Sequence, residues 1–391
     1  MGALLLAIIY LAFISLGLPD SLLGAGWPTM YPELGAPVAF AGLVSALISC
    51  GTITSSLLSD RLTHRLGAGL VTAVSTLLTA LGLFGFSISR SFWQLCLWTI
   101  PYGLGAGAID AALNNYVALH YSSRHMSWLH CCWGVGAAIS PNIMSFALTR
   151  GTGWPAGYRI VGVIQLCLTA ALFLSLPLWK TKEAAAGTGE AAPQSKPLGL
   201  VQAWKLPGAA CVFIAFFCYC AMESTAGLWA SSFLTLGRGV APETAARFAS
   251  LFYLGITLGR FLSGFISPRL GDRRMIRLGL GIILLGAVAV ALPLENDTLA
   301  LAGLLVIGLG CAPVYPSFIH ATPALFGAEK SQAIIGIQMA CAYAGSLAMP
   351  PLFGLLAEHV NVQLYPYYLA LFALVAGGML WRLYHRQGQK A

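Results

Sequence analysis

Four ionisable side chains stand inside stretches that are otherwise apolar: Asp20, Asp110, Glu223 and Arg260. A charge at the centre of a membrane-spanning helix costs from about 2.5 kcal/mol upward, so each should face protein or water. Asp110 lies in GAGAIDAALNNYV, residues 105–117, with Gly107 three positions before it and Asn114 four after. That spacing puts all three on one helix face, a narrow polar stripe flanked by small residues that admit a close neighbour. Asn115 adds a second amide beside it. Asp20 follows Pro19, which removes an amide and frees a carbonyl, and Trp27 shares its helix face seven positions on. Glu223 has Trp229 a little further along its own run. Desolvation disfavours the charged form of a carboxyl in such surroundings, so a group of this kind can carry a proton. Arg260 reads as a structural or gating partner for one of the acids. His130 and Trp133, in SWLHCCWGVGAAISP, and Gln165, Tyr315, His320 and Gln338 complete the polar set. Any one of these is plainly read as a hydrogen bond that glues two helices. Together, amides and carboxylates to meet hydroxyls and rings to meet a C–H face have the chemistry of a sugar site.

The elements that must hold these groups are set by composition. Of 391 residues, 58% are hydrophobic and 9% charged, and the mean hydropathy is +0.79. A soluble domain carries about 25% charged residues. Twelve apolar runs of about 20 residues, the length a helix needs to cross the hydrocarbon core, recur between short polar stretches. The first ends in Pro19 and Asp20 with no small-residue cleavage site and is expected to be retained. The start MGALLL fails the myristoylation pattern, because Leu6 stands where Ser or Thr is needed.

Several classes of function are excluded in the same way. The ten cysteines form no CxxC pair and no Cys/His ligand spacing, so neither a metal nor another cofactor is expected. No HExxH helix or GxSxG elbow is present, and GAGAID separates glycine and acid by two residues where a GxGD protease motif allows none. An enzyme is therefore not expected. The net charge of +8 is not gathered into a patch for nucleic acid but is sorted by loop. With the N-terminus in the cytoplasm, that side collects Arg61, Arg65, Arg124, Lys180, Lys182, Arg269, Arg273, Arg274 and Lys330. Arg90, Arg150, Arg159, Arg238 and Arg247 fall on the other side. The bias follows the positive-inside rule and predicts cytoplasmic termini in a plasma or inner membrane. Asn296-Asp297-Thr298, in an expected outer loop, is a glycosylation sequon.

Residues 180–206 break the hydrophobicity with the densest mix of Lys, Glu, Gly and Pro, and read as a flexible cytoplasmic linker. Six runs precede it, in 1–179, and six follow, in 207–391. The halves repeat. DSLLG at 20–24 aligns with ESTAG at 223–227, Gly51 with Gly255, Arg65-Leu66-Gly67 with Arg269-Leu270-Gly271 and GLG at 103–105 with GLG at 308–310, all at offsets of 203 to 205. Gly136 and Pro141 align with Gly345 and Pro350 at an offset of 209.

Two six-helix halves joined by such a linker, each with a basic loop after its second span, resemble the major facilitator superfamily. The loops SDRLTHRLG (59–67) and SPRLGDRR (267–274) look like degenerate copies of its loop signature, and the resemblance implies gating roles for Asp60, Arg61, Arg65, Arg269, Asp272 and Arg273. GxGxxDxAxNxYV (105–117), LPDSLL (18–23) and LHCCWGVGAAISP (129–141) resemble the fourth, first and fifth spans of the fucose permease group. That group commonly has glutamate where this chain has Asp110 and proline where it has Asn115. The resemblance implies an all-helical membrane fold of two pseudo-symmetric bundles, with the site near the bilayer midplane. It further implies proton-coupled uptake of a hexose or deoxyhexose by alternating access, with Asp20 and Asp110 carrying coupling and recognition. The expected partners are a small sugar, a proton or sodium ion and the bilayer, and the expected state is a monomer. Sodium-coupled uptake and proton-driven efflux of amphipathic drugs are the rival readings of the same architecture.

Overall fold

The computed structural model describes residues 2–37, 40–185, 198–240, 242–293 and 297–388, and among them every regular element is helical. In chain order these are α1 (Gly2–Gly17), α2 (Leu22–Glu33), α3 (Phe40–Leu66), α4 (Ala68–Ile88), α5 (Phe92–His120), α6 (Ser123–Thr149) and α7 (Gly153–Ala185). After them come the short α8 (Leu200–Lys205), α9 (Ala209–Ser232), α10 (Pro242–Leu270), α11 (Asp272–Ala291), α12 (Thr298–Phe326), α13 (Ala328–Leu356) and α14 (Tyr365–Gly388). Of the expected linker, residues 186–197 lie outside the described residues, as does Asn296 of the sequon. Of the linker's described parts, residues 180–185 continue α7 and Leu200–Lys205 form α8, where alanines and long straight side chains favour the helix.

Among the described residues, ten stretches are long and apolar enough to span a membrane, and the 58-residue one, Ala328–His385, runs through α13 and most of α14. α5 is not among the ten, because Asp110, Asn114 and Asn115 lower its hydropathy, yet it has 29 residues. At about 1.5 Å per residue it is longer than the roughly 30 Å of hydrocarbon. Counting α5 and separating α13 from α14 gives the twelve expected spans.

The described residues gather into two compact units. The first holds Met1–His120, Leu129–Gly199 and Ala328–Ala340; the second holds Tyr121–Trp128, Leu200–Gly327 and Cys341–Ala391. Within the first, α5 packs on α3 and α4, and α7 packs on α4 and α1. Within the second, α12 packs on α10 and α11, and α9 on α14.

The glycines of the sequence repeat are where these helices meet. A β-carbon on Gly103 would stand 2.6 Å from the Ile48 carbonyl oxygen, and one on Gly107 2.1 Å from that of Thr52, so α5 lies directly on the backbone of α3. In the second unit a β-carbon on Gly308 would stand 2.1 Å from the Phe252 carbonyl oxygen, and one on Gly255 2.5 Å from that of Leu305. A β-carbon on Gly136 of α6 would stand 2.0 Å from the Ile14 carbonyl oxygen of α1, and one on its repeat partner Gly345 of α13 2.7 Å from that of Phe217 in α9. Small residues at such crossings let backbones approach where lipid supplies no hydrophobic drive between helices. The repeat extends to the loops: Gly67 (φ 78, ψ 154) and Gly271 (φ 75, ψ 158) cap α4 and α11 in one conformation that side-chain-bearing residues rarely adopt.

Valine at Gly136 or Gly308 should therefore destabilise the protein by about 3 kcal/mol or more, since the obstruction is backbone that cannot repack. Alanine at Gly24, which has open space around it, should stay within about 0.5 kcal/mol of the parent. Thermal melting of the detergent-solubilised protein by size-exclusion fluorescence checks both.

Candidate functional site

The first helix does not run through Pro19 and Asp20. α1 stops at Gly17, residues 18–21 turn, and α2 begins at Leu22. Proline 19 has no N–H, so the carbonyl of Ser15 four residues earlier loses its helical donor. Gln165 of α7 replaces it, donating Nε2–H to the Ser15 carbonyl at 2.8 Å while its Oε1 accepts the Ser15 hydroxyl at 2.6 Å. The same substitution occurs at Pro141 of α6, which leaves the carbonyl of Ala137 without its amide; the Ser21 hydroxyl donates to it at 2.6 Å. Between these two repairs stands Asp20, exposed, its Oδ2 accepting Trp133 Nε1–H at 2.8 Å.

One turn before Trp133 on α6 is His130, which belongs to a second chain of bonds. The Asn114 amide donates Nδ2–H to Asp110 Oδ1 at 2.7 Å and to the Asp110 backbone carbonyl at 2.9 Å. With its nitrogen committed, Asn114 presents Oδ1 to His130 Nε2 at 3.0 Å, which fixes the proton on Nε2. Asp110, Asn114 and His130 are buried, and the edge of the His130 ring packs against Phe13 at a centroid distance of 5.4 Å. The sequence stripe at Asp110 is thus a directed relay of two N–H donors ending on a carboxylate, stronger than neutral bonds because its acceptor is ionisable.

Other residues of the first unit are placed differently. Trp27 is buried in an apolar cluster with Leu22, Met30, Phe86 and Tyr158, away from solvent. Asn115 points from α5 to the beginning of α13, where its Oδ1 accepts the Ser331 hydroxyl at 2.5 Å; Gln332 donates to Ser59 at 3.3 Å close by. Gln338, in the same half of α13, is fully buried. Of the gating candidates, Asp60 is buried and accepts the backbone N–H of Leu198 at 2.9 Å, with His64 Nδ1 3.1 Å from its other oxygen. Arg61 and Arg65 are exposed.

In the second unit Glu223 and Arg260 meet at 3.2 Å, with side chains 18% and 6% exposed. The acid that Arg260 needs is therefore Glu223. Tyr219, one turn before Glu223, donates to the Cys311 carbonyl at 2.9 Å, and Tyr315 stacks obliquely on Phe216 at 4.9 Å. Trp229 donates to the Pro350 carbonyl at 2.9 Å and packs on Phe353. His320, counted with the sugar-type groups in the sequence, bridges Asp272 at 2.6 Å and the Tyr121 carbonyl at 3.2 Å. Both oxygens only accept, so both ring nitrogens carry protons in this arrangement. Arg273 lies over the Tyr384 ring at 4.1 Å, and Arg269 is exposed.

The structure brings Asp20, Trp133, His130, Asn114 and Asp110 together along α6. It places Trp27 in an apolar cluster and turns Asn115 to Ser331. Sequence reading missed Ser15, Ser21 and Ser331. A signal existed for the first: a hydroxyl four residues before a proline marks a carbonyl in need of a donor.

The profile of the Major Facilitator Superfamily matches residues 9–294 and 212–391. The chain belongs to that superfamily. It is an integral membrane transporter with a small-molecule substrate. A transporter of Yersinia pestis described as an uncharacterized MFS-type protein is 26% identical over 349 residues, covering 85% of each chain. The human sodium-dependent glucose transporter 1 is 20% identical, covering 96% of this chain and 78% of its own. A solved structure of the E. coli fucose:proton symporter FucP shares the fold, with a TM-score of 0.74 at 15% identity over 96% of this chain and 98% of that one.

In this transporter, Arg260→Met should cost about 1–3 kcal/mol by leaving Glu223 without its counter-charge. Adding Glu223→Gln should recover most of the loss. A melting comparison of the two variants with the parent reads this directly.

Proposed function

We propose that the chain is a secondary active transporter that takes up a monosaccharide, a hexose or deoxyhexose, with protons flowing down their gradient, by alternating access. One observation carries the reading: two acids, Asp20 in the turn after α1 and Asp110 on α5, are tied to successive turns of α6 through Trp133 and through the Asn114–His130 relay. Asp20 is exposed where the helix is broken, the kind of interruption at which transporters bind cargo and ions. Its carboxyl and that of Asp110 have the geometry to take up protons and to meet sugar hydroxyls. Trp133 in the first unit and, taken by themselves, Glu223, Trp229 and Tyr315 in the second are partly exposed, and each unit's set has the chemistry to meet cargo. Asn114, fully buried, acts by orienting Asp110 rather than by touching sugar. His130 holds Asn114 in turn.

In the proposed cycle Asp20 and Asp110 are protonated from the outside and sugar binds to the neutral pair. The loaded carrier reorients, and loss of both protons to the inside lowers its affinity and releases the cargo. Such a cycle runs only because the two states differ in affinity for proton and sugar. The sugar-transporting and fucose:proton-transporting relatives support the cargo class. The basic loops support cytoplasmic termini, and the chain is proposed to act as a monomer in a plasma or inner membrane.

Reconstitution in liposomes with labelled D-glucose and L-fucose, under separate pH and sodium gradients, tests the proposal. Accumulation should follow the proton gradient. Asp20→Asn and Asp110→Asn should lose it while retaining sugar exchange without a gradient. Accumulation driven by sodium alone would replace the coupling ion, and pH-driven accumulation that survives either amide variant would remove the coupling assignment.

A further inference from the structure

The two proline repairs lie on either side of Asp20. Ser15, four residues before Pro19, is held at both its carbonyl and its hydroxyl by a single side chain, Gln165, which is 2% exposed. Ser21, the residue after Asp20, is held to the Ala137 carbonyl, and Ala137 lies one turn beyond Trp133 on α6. Neither Gln165 nor Ser21 hydrogen-bonds the Asp20 carboxylate. Each bonds a carbonyl that a proline has released, and in the hydrocarbon region no water is present to do so instead. The position of the Asp20 carboxylate is thereby fixed from both flanks of the turn that carries it.

We infer that Gln165 and Ser21 are positioning residues: they keep α1 open at Pro19 and set the Asp20 carboxylate against Trp133. Without Gln165 the Ser15 carbonyl must find another donor, which the chain supplies only by twisting residues 16–20 so that a later backbone amide reaches it. That twist carries Asp20 away from the Trp133 indole. Without Ser21 the Ala137 carbonyl is left in the same need, and the α2 end of the turn loosens from α6. The functional weight of this arrangement rests on the reading that Asp20 is a coupling acid, but the geometry itself does not.

The test uses the full chain in detergent with 5-fluorotryptophan, the Trp133 resonance being assigned by its loss in Trp133→Phe. Fluorine at the indole reports the hydrogen bond to Asp20, and Asp20→Asn marks the resonance position when the carboxylate is gone. Gln165→Leu should move the Trp133 resonance most of the way to the Asp20→Asn position, and Ser21→Ala part of the way. Ser175→Ala, which removes a buried hydroxyl bonded to Leu172 elsewhere on α7, should leave it in place and so controls for general loosening. In proteoliposomes, Gln165→Leu should lower proton-driven sugar accumulation about tenfold, the scale of one unsatisfied buried acceptor.

A Trp133 resonance unmoved in folded Gln165→Leu overturns the inference. Should Gln165→Leu fail to fold, the unmoved resonance in Ser21→Ala does so. The coupling reading fails separately: a wild-type Trp133 resonance that does not change from acid to mildly alkaline pH removes Asp20 as a titrating group, whatever the Gln165 variant shows.

Discussion

A backbone carbonyl inside a membrane must be bonded by the protein, because the surrounding hydrocarbon offers no donor. That constraint shapes the first unit. Proline 19 and Pro141 each take one amide out of a helical ladder, and the released carbonyls of Ser15 and Ala137 are met by Gln165 and Ser21. The helix break that exposes Asp20 is stable because these side chains, from α7 and from the turn before α2, stand in for the missing amides. Polar residues that look like scattered glue in the sequence are, in this unit, the condition for having an interrupted helix at all.

The same accounting explains which parts of the molecule the sequence makes legible. The apolar runs and the repeated glycines are properties of helices and their crossings, and they are local or nearly so. Gly103 and Gly308 can be matched from the sequence because both must be small for one reason, a backbone 2.6 Å and 2.1 Å from where a β-carbon would be. The Asp110–Asn114 bond is equally legible, being set by four-residue spacing on one helix. What joins that pair to His130, or Asp20 to Trp133, is the meeting of α1, α5 and α6 in three dimensions, and no spacing encodes it. Asn115, one residue on from Asn114, faces another direction and bonds Ser331, 216 positions away. Trp27 sits on the Asp20 side of an ideal helix, but the turn at 18–21 breaks the phase on which that expectation relied.

The two units use one frame for different polar chemistry. α3, α4 and α5 meet as α10, α11 and α12 do, with glycines at corresponding contacts and with Gly67 and Gly271 in matching conformations. The first unit carries a relay of N–H donors ending on the Asp110 carboxylate, whereas the second carries the Glu223–Arg260 ion pair. At the repeat position of Arg260 the first unit has Ser56, whose hydroxyl donates to the Gly107 carbonyl at 3.1 Å. A serine there leaves α5 close to α3. An arginine there reaches across to an acid instead.

The difference between Asp20 and Glu223 follows from the residue before each. The repeat pairs Asp20 with Glu223 and Ser21 with Ser224, and the two serines play like parts: Ser21 bonds the Ala137 carbonyl and Ser224 the Ser346 hydroxyl, at the position that pairs with Ala137. Pro19, however, is paired with Met222, which keeps its amide. α9 therefore runs unbroken through Glu223, and the acid stands on a continuous helix among buried neighbours, where its charge needs Arg260 as a counter-ion. At Asp20 the ladder is interrupted by a turn, and the carboxylate is met by an indole N–H rather than by a cation. An acid locked to an arginine cannot release and rebind a proton without first breaking that pair, whereas one held by a single neutral donor can. The difference in what holds the two acids thus traces to one imino acid.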